Sequence, residues 1–205
     1  QRNKSIMNRK KAIAQLLKLK RLTKDKDMRL AGSWPKRYQI LIATILSAVT
    51  RDEMTIEVSE VLFKKYPSFK KLGEARVDDV EKIIRRVNFY KTKAKNIVAT
   101  SKMLTDKKIP EKVSELIKLP GVGRKVANVY LNEAFGADAI GVDTHVARIS
   151  FKLDWTKNKN PHKIEKDLEK LFPKKYWSII NDTLVRFGRS YGRSRRREDE
   201  ILSEL

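Results

Sequence analysis

Two glycines two positions apart, set behind a proline and inside a helical apolar pattern, constrain this chain more than any other feature: Leu119-Pro120-Gly121-Val122-Gly123-Arg124-Lys125. Before the run, Val113, Leu116 and Ile117 are spaced as on one face of a short helix. After it, Val126, Val129, Tyr130 and Phe135 are spaced as on a second. Pro120 cannot continue a helix, and glycine takes φ > 0 at low cost, so the stretch reads as helix, hairpin, helix. The second helix starts at the turn, where its first N–H groups lack intrahelical partners and carry the positive end of the dipole. A phosphate suits such an end. A plain helix connection with a glycine cap uses the same residues. What sets this one apart is Arg124-Lys125 in the first turn, where the dipole disfavours cations unless an anion or a reaction needs them.

Eighteen residues beyond Lys125 the chain reads Val142-Asp143-Thr144-His145-Val146-Ala147-Arg148-Ile149. Asp143 suits a helix N-cap, with Val146, Ile149 and Leu153 on the buried face behind it. Taken together, LPGVGRKVANVYLNEAFG followed by VDTHVARI resembles the helix-hairpin-helix and the Gly/Pro-rich loop with trailing aspartate of the endonuclease III family of DNA glycosylases. The resemblance extends over roughly residues 36–190 and is strongest over 116–153.

That resemblance implies an all-α, two-lobed helix-hairpin-helix DNA glycosylase fold with the DNA cleft between the lobes. Residues 38–148 would form one lobe, and 1–37 plus 149–205 the other. It implies a bifunctional enzyme of base-excision repair that removes damaged bases, oxidised pyrimidines foremost, and cleaves the abasic site by β-elimination through a lysine Schiff base. Lys125 becomes the catalytic nucleophile and Asp143 its catalytic partner. Leu119, Gly121, Val122, Gly123 and Arg124 would bind DNA at the hairpin, and Thr144 and His145 beside Asp143. Relatives place a monovalent cation between hairpin and phosphate. An 8-oxoguanine or mismatch glycosylase of the same superfamily is the first alternative. Oxidised-guanine enzymes share both residues, whereas thymine or adenine removers usually lack the lysine. A non-catalytic helix-hairpin-helix module is the second, and it needs neither Lys125 nor Asp143.

The charge agrees with a polyanionic partner. Lys and Arg number 47 against 25 Asp and Glu, a formal net charge of +22. An anionic membrane surface would account for the charge but not the hairpin, and no apolar run reaches the ~18 residues of a span. The expected partner is double-stranded DNA with a damaged base or abasic site, bound by a monomer, in the cytoplasm or nucleoid. There is no cysteine, which excludes disulfides, thiolate catalysis and any cysteine-ligated zinc or iron–sulfur centre. The two histidines, His145 and His162, have no metal-ligand spacing, so no metal site and no cofactor is expected.

Elsewhere the pattern is helical throughout, without strand signals. Residues 4–22 read as a basic amphipathic helix with Ile6, Ile13, Leu16, Leu17 and Leu19 on its apolar side. Tyr38 to Val49 is apolar on most sides and belongs in the middle of a domain. It ends in Ser47-Ala48-Val49-Thr50-Arg51-Asp52, where Asp52 is expected to cap the next helix. Here the resemblance departs from its pattern. The family carries a glutamine that fills the space of the flipped nucleotide, and this chain has Val49, so Val49 or Arg51 is the candidate to enter the duplex. The pair Phe89-Tyr90 is expected in the core, with Lys91, Lys93 and Lys95 either solvated or on phosphates. Glu111 is expected to open the helix before the hairpin, and Asn160-Pro161 to cap a late one. From Gly188 to Leu205 the chain reads as a charged tail. Val185-Arg186-Phe187-Gly188-Arg189 resembles the family's approach to its first cluster cysteine, but Gly192 stands about where that residue belongs.

Overall fold

The computed structural model describes residues 8–24, 28–192 and 194–205; the expected apolar position Ile6 and the tail residue Arg193 lie outside the described residues. All regular structure among them is helical, as the periodicity predicts. Two compact units emerge. One is Arg29–Gly136; the other joins the described residues up to Met28 with Ala137–Leu205. The sequence reading drew these limits at 38 and 148. The contacts place the Asp143 segment with the chain ends instead, because Val146 and Ile149 pack into a core shared with Leu16, Leu184 and Phe187.

In the unit of the chain ends, α1 (Arg9–Thr23) is capped by Asn8, whose side chain accepts from Lys10 N. It buries Ala12, Leu16 and Leu19 completely. Gln15 is also buried, and its Oε1 accepts a 2.8 Å bond from the Trp155 indole N–H. Arg9 donates to the carbonyls of Leu171 (3.0 Å) and Lys170 (2.9 Å).

The other unit is built around α2 (Arg37–Ser47), in which seven consecutive residues, Ile40–Leu46, are buried. No amphipathic stripe survives in such a run, so protein must surround it on every side. α3 (Asp52–Lys65), α4 (Phe69–Gly73), α5 (Val77–Ile84), α6 (Tyr90–Leu104), α7 (Val113–Leu116) and α8 (Arg124–Phe135) complete the unit. Helices α3, α6 and α8 all pack on α2. Asp52 is the first residue of α3 and not its cap; Arg51 holds the cap position without a side-chain cap bond. Glu111 likewise precedes α7, which begins at Val113.

Beyond Gly136 the chain returns to the unit of the chain ends with α9 (Thr144–Lys152), α10 (Pro161–Leu171), a 3-10 turn (Lys174–Tyr176), α11 (Trp177–Tyr191) and α12 (Arg195–Ser203). Asn160 caps α10 as expected, accepting from His162 N and Lys163 N. In the tail Arg195, Arg196 and Arg197 are exposed, as a charge run normally is, but they open a helix that packs on the unit. Ser194 caps α12, Leu202 joins the core, and Glu198 is buried at 1% exposure. Both of its oxygens are used, Oε2 by Arg148 and Oε1 by Lys152, each at 2.7 Å. Among the described residues no helix is long and apolar enough to cross a membrane.

Replacing Trp155 by Phe removes a donor to a buried amide oxygen and should cost about 1–3 kcal/mol in urea unfolding. Pairing it with Gln15→Leu should recover most of the loss, because no polar group is then left unsatisfied.

Candidate functional site

The hairpin is anchored from within. Leu119 and Val122 are 6% and 5% exposed, so their side chains hold the turn down and leave its backbone outward. Val122 N donates to Leu119 O (3.1 Å), and the Thr100 hydroxyl of α6 donates to Pro120 O (2.8 Å). The two glycines do different work. Gly121 has φ 77°, and a Cβ there would lie 3.0 Å from the Asn96 side chain and 3.1 Å from Ile45 Cγ2. Both its backbone angle and its surroundings therefore demand glycine. Gly123 caps α8 at an ordinary φ of −87°, and a Cβ there would meet nothing within 4 Å. Its smallness serves no packing inside the protein; it leaves the outer face of the turn bare.

Helix α8 starts directly behind this bare turn. It has no side-chain cap and no acidic residue in its first turn. Arg124 is exposed and Lys125 half-buried. The same unit holds a lysine whose expected place, in solvent or on a phosphate, the structure corrects. Lys93 of α6 is neither solvated nor at the surface; it is 6% exposed. Its Nζ donates to Leu46 O (2.7 Å), Ala48 O (2.6 Å) and Thr50 Oγ1 (3.0 Å). Burial, and then repulsion from the Lys125 ammonium, lower its pKa to about 8. The signal was present in the sequence: Lys93 precedes Ile97 by four and Thr100 by seven, on the buried stripe of α6.

Lys93 ties down the segment that ends α2. That helix stops at Ser47, two residues earlier than its apolar run suggested, because Ala48 turns extended at ψ 120° and Val49 takes φ 56°. A β-branched residue there is an outlier, costing roughly 1–3 kcal/mol. Val49 is 73% exposed. Asn88 Nδ2 donates to its carbonyl at 2.5 Å, and Asn88 N donates to Thr50 Oγ1 at 3.2 Å. Phe89, the next residue, also takes a left-handed backbone at φ 58° and is 68% exposed. The core placement expected for it is therefore overturned. As the residue before α6, it turns outward while Val87 and Ala94 on either side turn inward. Two exposed apolar tips, Val49 and Phe89, thus stand on hydrogen-bonded neighbouring loops. Arg51 is exposed beside the first.

In the other unit Asp143 caps α9, its Oδ1 accepting from Val146 N at 2.8 Å. Thr144 is exposed. His145 is half-buried against α11: a Cβ on Gly188 would come within 2.2 Å of its Nδ1, and Arg148 Nη2 lies 3.4 Å from that nitrogen. Burial lowers its pKa, opposed by the Asp143 carboxylate, so the imidazole is neutral at neutral pH. Arg148 continues to Glu198, which also takes Lys152. A chain of contacts therefore joins the helix that Asp143 caps to the last helix of the chain. Gly192 ends α11 with no room for a side chain: a Cβ would lie 2.3 Å from Gly188 O and 2.7 Å from Glu198 Oε2.

Comparison with known proteins shows the family of the chain. Residues 42–174 match the family model described as HhH-GPD superfamily base excision DNA repair protein. Endonuclease III of Thermotoga maritima is 43% identical over 155 residues, covering 74% of this chain and 73% of the relative. Endonuclease III of Synechocystis is 38% identical over 191 residues, covering 91% and 86%. A trapped covalent intermediate of endonuclease III with DNA superposes with a TM-score of 0.84 at 34% identity, over 92% of this chain and 90% of that one.

Gly121→Ala should destabilise the protein by about 1–3 kcal/mol. Gly123→Ala, with space and an ordinary φ, should stay within about 0.5 kcal/mol. Thermal unfolding of the two variants side by side checks this.

Proposed function

The chain belongs to the HhH-GPD superfamily of base excision DNA repair proteins, and on that premise we propose which of its residues carry the reaction and on which bases it acts. The chain is a DNA glycosylase and abasic-site lyase. The observation that carries the assignment of residues is Lys125, an amine one residue into the helix that starts behind a bare, rigidly anchored turn.

The phosphate next to the lesion would lie on the backbone of Gly121–Gly123. Contacts of that kind carry no sequence information, as suits an enzyme that must find damage anywhere. A monovalent cation between turn and phosphate fits the residues present. The carbonyls of Leu119 and Pro120 each accept one bond, from Val122 N and the Thr100 hydroxyl, and each has a second lone pair. Such an ion would supply positive charge to the phosphate, and no step is routed through it. An iron–sulfur cluster does not fit: the chain has no cysteine, and the position expected for the first ligand is Gly192, closed in by Gly188 O and Glu198.

A base inside a duplex is out of reach, so the target nucleotide is extruded from the stack. Val49 and Phe89 are suited to enter the duplex as it leaves, since both are apolar, exposed and held on fixed loops. The Lys125 amine then attacks C1′. The N-glycosidic bond breaks, the base departs with its electron pair, and the sugar is held as a Schiff base on Lys125. The imine acidifies the C2′ hydrogen; its loss expels the 3′ phosphate, and water releases the lysine. An unperturbed lysine is protonated at neutral pH, so Lys125 has to give up a proton before it attacks. Asp143 would stabilise the positive charge that develops on the sugar. An anion favours an ammonium over a neutral amine, so charge stabilisation and not base activity is the role proposed for Asp143.

Oxidised pyrimidines are the proposed targets, since the relatives at 34–43% identity include endonuclease III proteins throughout. Lys125→Ala should abolish borohydride trapping on an abasic duplex, and trapping that persists would refute the nucleophile. Asp143→Asn should bind duplex normally but release base roughly 100-fold more slowly; full turnover would remove it from the mechanism. A duplex panel of thymine glycol, 5-hydroxycytosine, 8-oxoguanine and uracil should show the first two released fastest. Preference for 8-oxoguanine would instead favour the purine branch of the superfamily.

A further inference from the structure

The loop that presents Val49 closes the C-terminus of α2 without either of the usual devices. Its last turn has no basic residue, and the left-handed position that follows is held by valine, where glycine or asparagine is the common choice. The missing cation comes from another helix. Lys93 of α6 brings its ammonium to the carbonyls of Leu46 and Ala48, at the negative end of α2, and takes the Thr50 hydroxyl as its third acceptor. An ammonium has three donors, and these three bonds use all of them. A lysine only 6% exposed is otherwise expensive to keep, and a methionine would fill the same space without a charge to desolvate. The main chain of the same residue donates to Phe89 O at 3.0 Å, so Lys93 reaches both loops that carry exposed apolar tips.

We propose that Lys93 is a positioning residue for nucleotide extrusion. By holding Leu46 O, Ala48 O and Thr50 Oγ1 it fixes the loop in the shape that projects Val49, and so sets how well the side chain fills the space the nucleotide leaves. Asn88 supports the same loop from the Phe89 side through the Val49 carbonyl. The inference rests on the glycosylase reading above, because only an enzyme that empties a stack needs something to occupy the gap.

The test compares borohydride trapping on two substrates: a duplex with an abasic site opposite adenine, and the same abasic oligonucleotide as a single strand. The duplex requires extrusion and the single strand does not. Both use one amine, so any effect of a lost charge near Lys125 cancels in the ratio of the two rates. Lys93→Met should lower the duplex-to-single-strand ratio about tenfold, Val49→Gly should lower it by a similar factor, and the double variant should fall no further than either. Lys93→Gln keeps a donor and should lose less; it takes the place of Lys93→Met if that variant does not fold. An unchanged ratio, or losses that multiply in the double variant, would overturn the positioning role. Wild-type enzyme that traps on neither substrate would instead overturn the glycosylase–lyase reading, whatever Lys93 does.

Discussion

Helix α2 has no side turned to water across Ile40–Leu46, and the hairpin unit follows from that constraint. A helix enclosed all round still has carbonyls at its end that need donors. Protein therefore supplies the donors. Lys93 comes in from α6 for this purpose, which fixes α6 against the end of α2 and brings Phe89, at the start of α6, alongside Val49. The hairpin depends on the same packing. Gly121 lies against Ile45 of α2 and Asn96 of α6, so the turn takes its place from the helix the unit is built around. Enclosure of one apolar helix thus determines where the bare turn, Lys125 and the exposed tips all sit within that unit.

The other unit is organised around a buried charge. Glu198 on α12 is stable inside the protein because Arg148 and Lys152, one turn apart on α9, take one oxygen each. A buried carboxylate with one of those partners missing is strongly unfavourable. The pairing therefore keeps α12 on α9, and α9 is the helix that Asp143 caps. Gly188 and Gly192 on α11 leave the space through which this contact passes. An ion triad therefore holds the last helix of this unit in place.

Much of this was readable in the sequence, and the failures have definite causes. The hairpin, the Asn160 cap and the Asp143 cap were legible because each depends on local chemistry: a proline, a glycine, a short polar side chain before an apolar stripe. Helix α12 is hard to see in the sequence because its apolar face is only Ile201 and Leu202, with Leu205 just beyond it, behind a run of exposed arginines. Its one buried acid finds its partners about fifty residues back, which no local pattern reveals. Phe89 was misplaced because an aromatic residue beside a helix start is ordinarily core; only the positive φ turns it outward. Lys93 is buried and not solvated because its position on the inner stripe of α6 outweighs its residue type. The limits of the units moved because α9 packs by its apolar face on α11, a choice of neighbour that its own sequence does not state.

All the bonds that shape the Val49 loop end on backbone carbonyls or on Thr50; none ends on the Val49 side chain. The tip is therefore interchangeable. The scaffold would hold a different side chain at position 49 in the same place and at nearly the same strain, so long as the residue tolerates φ 56°. How position 49 is presented is thus separate from which side chain is presented there.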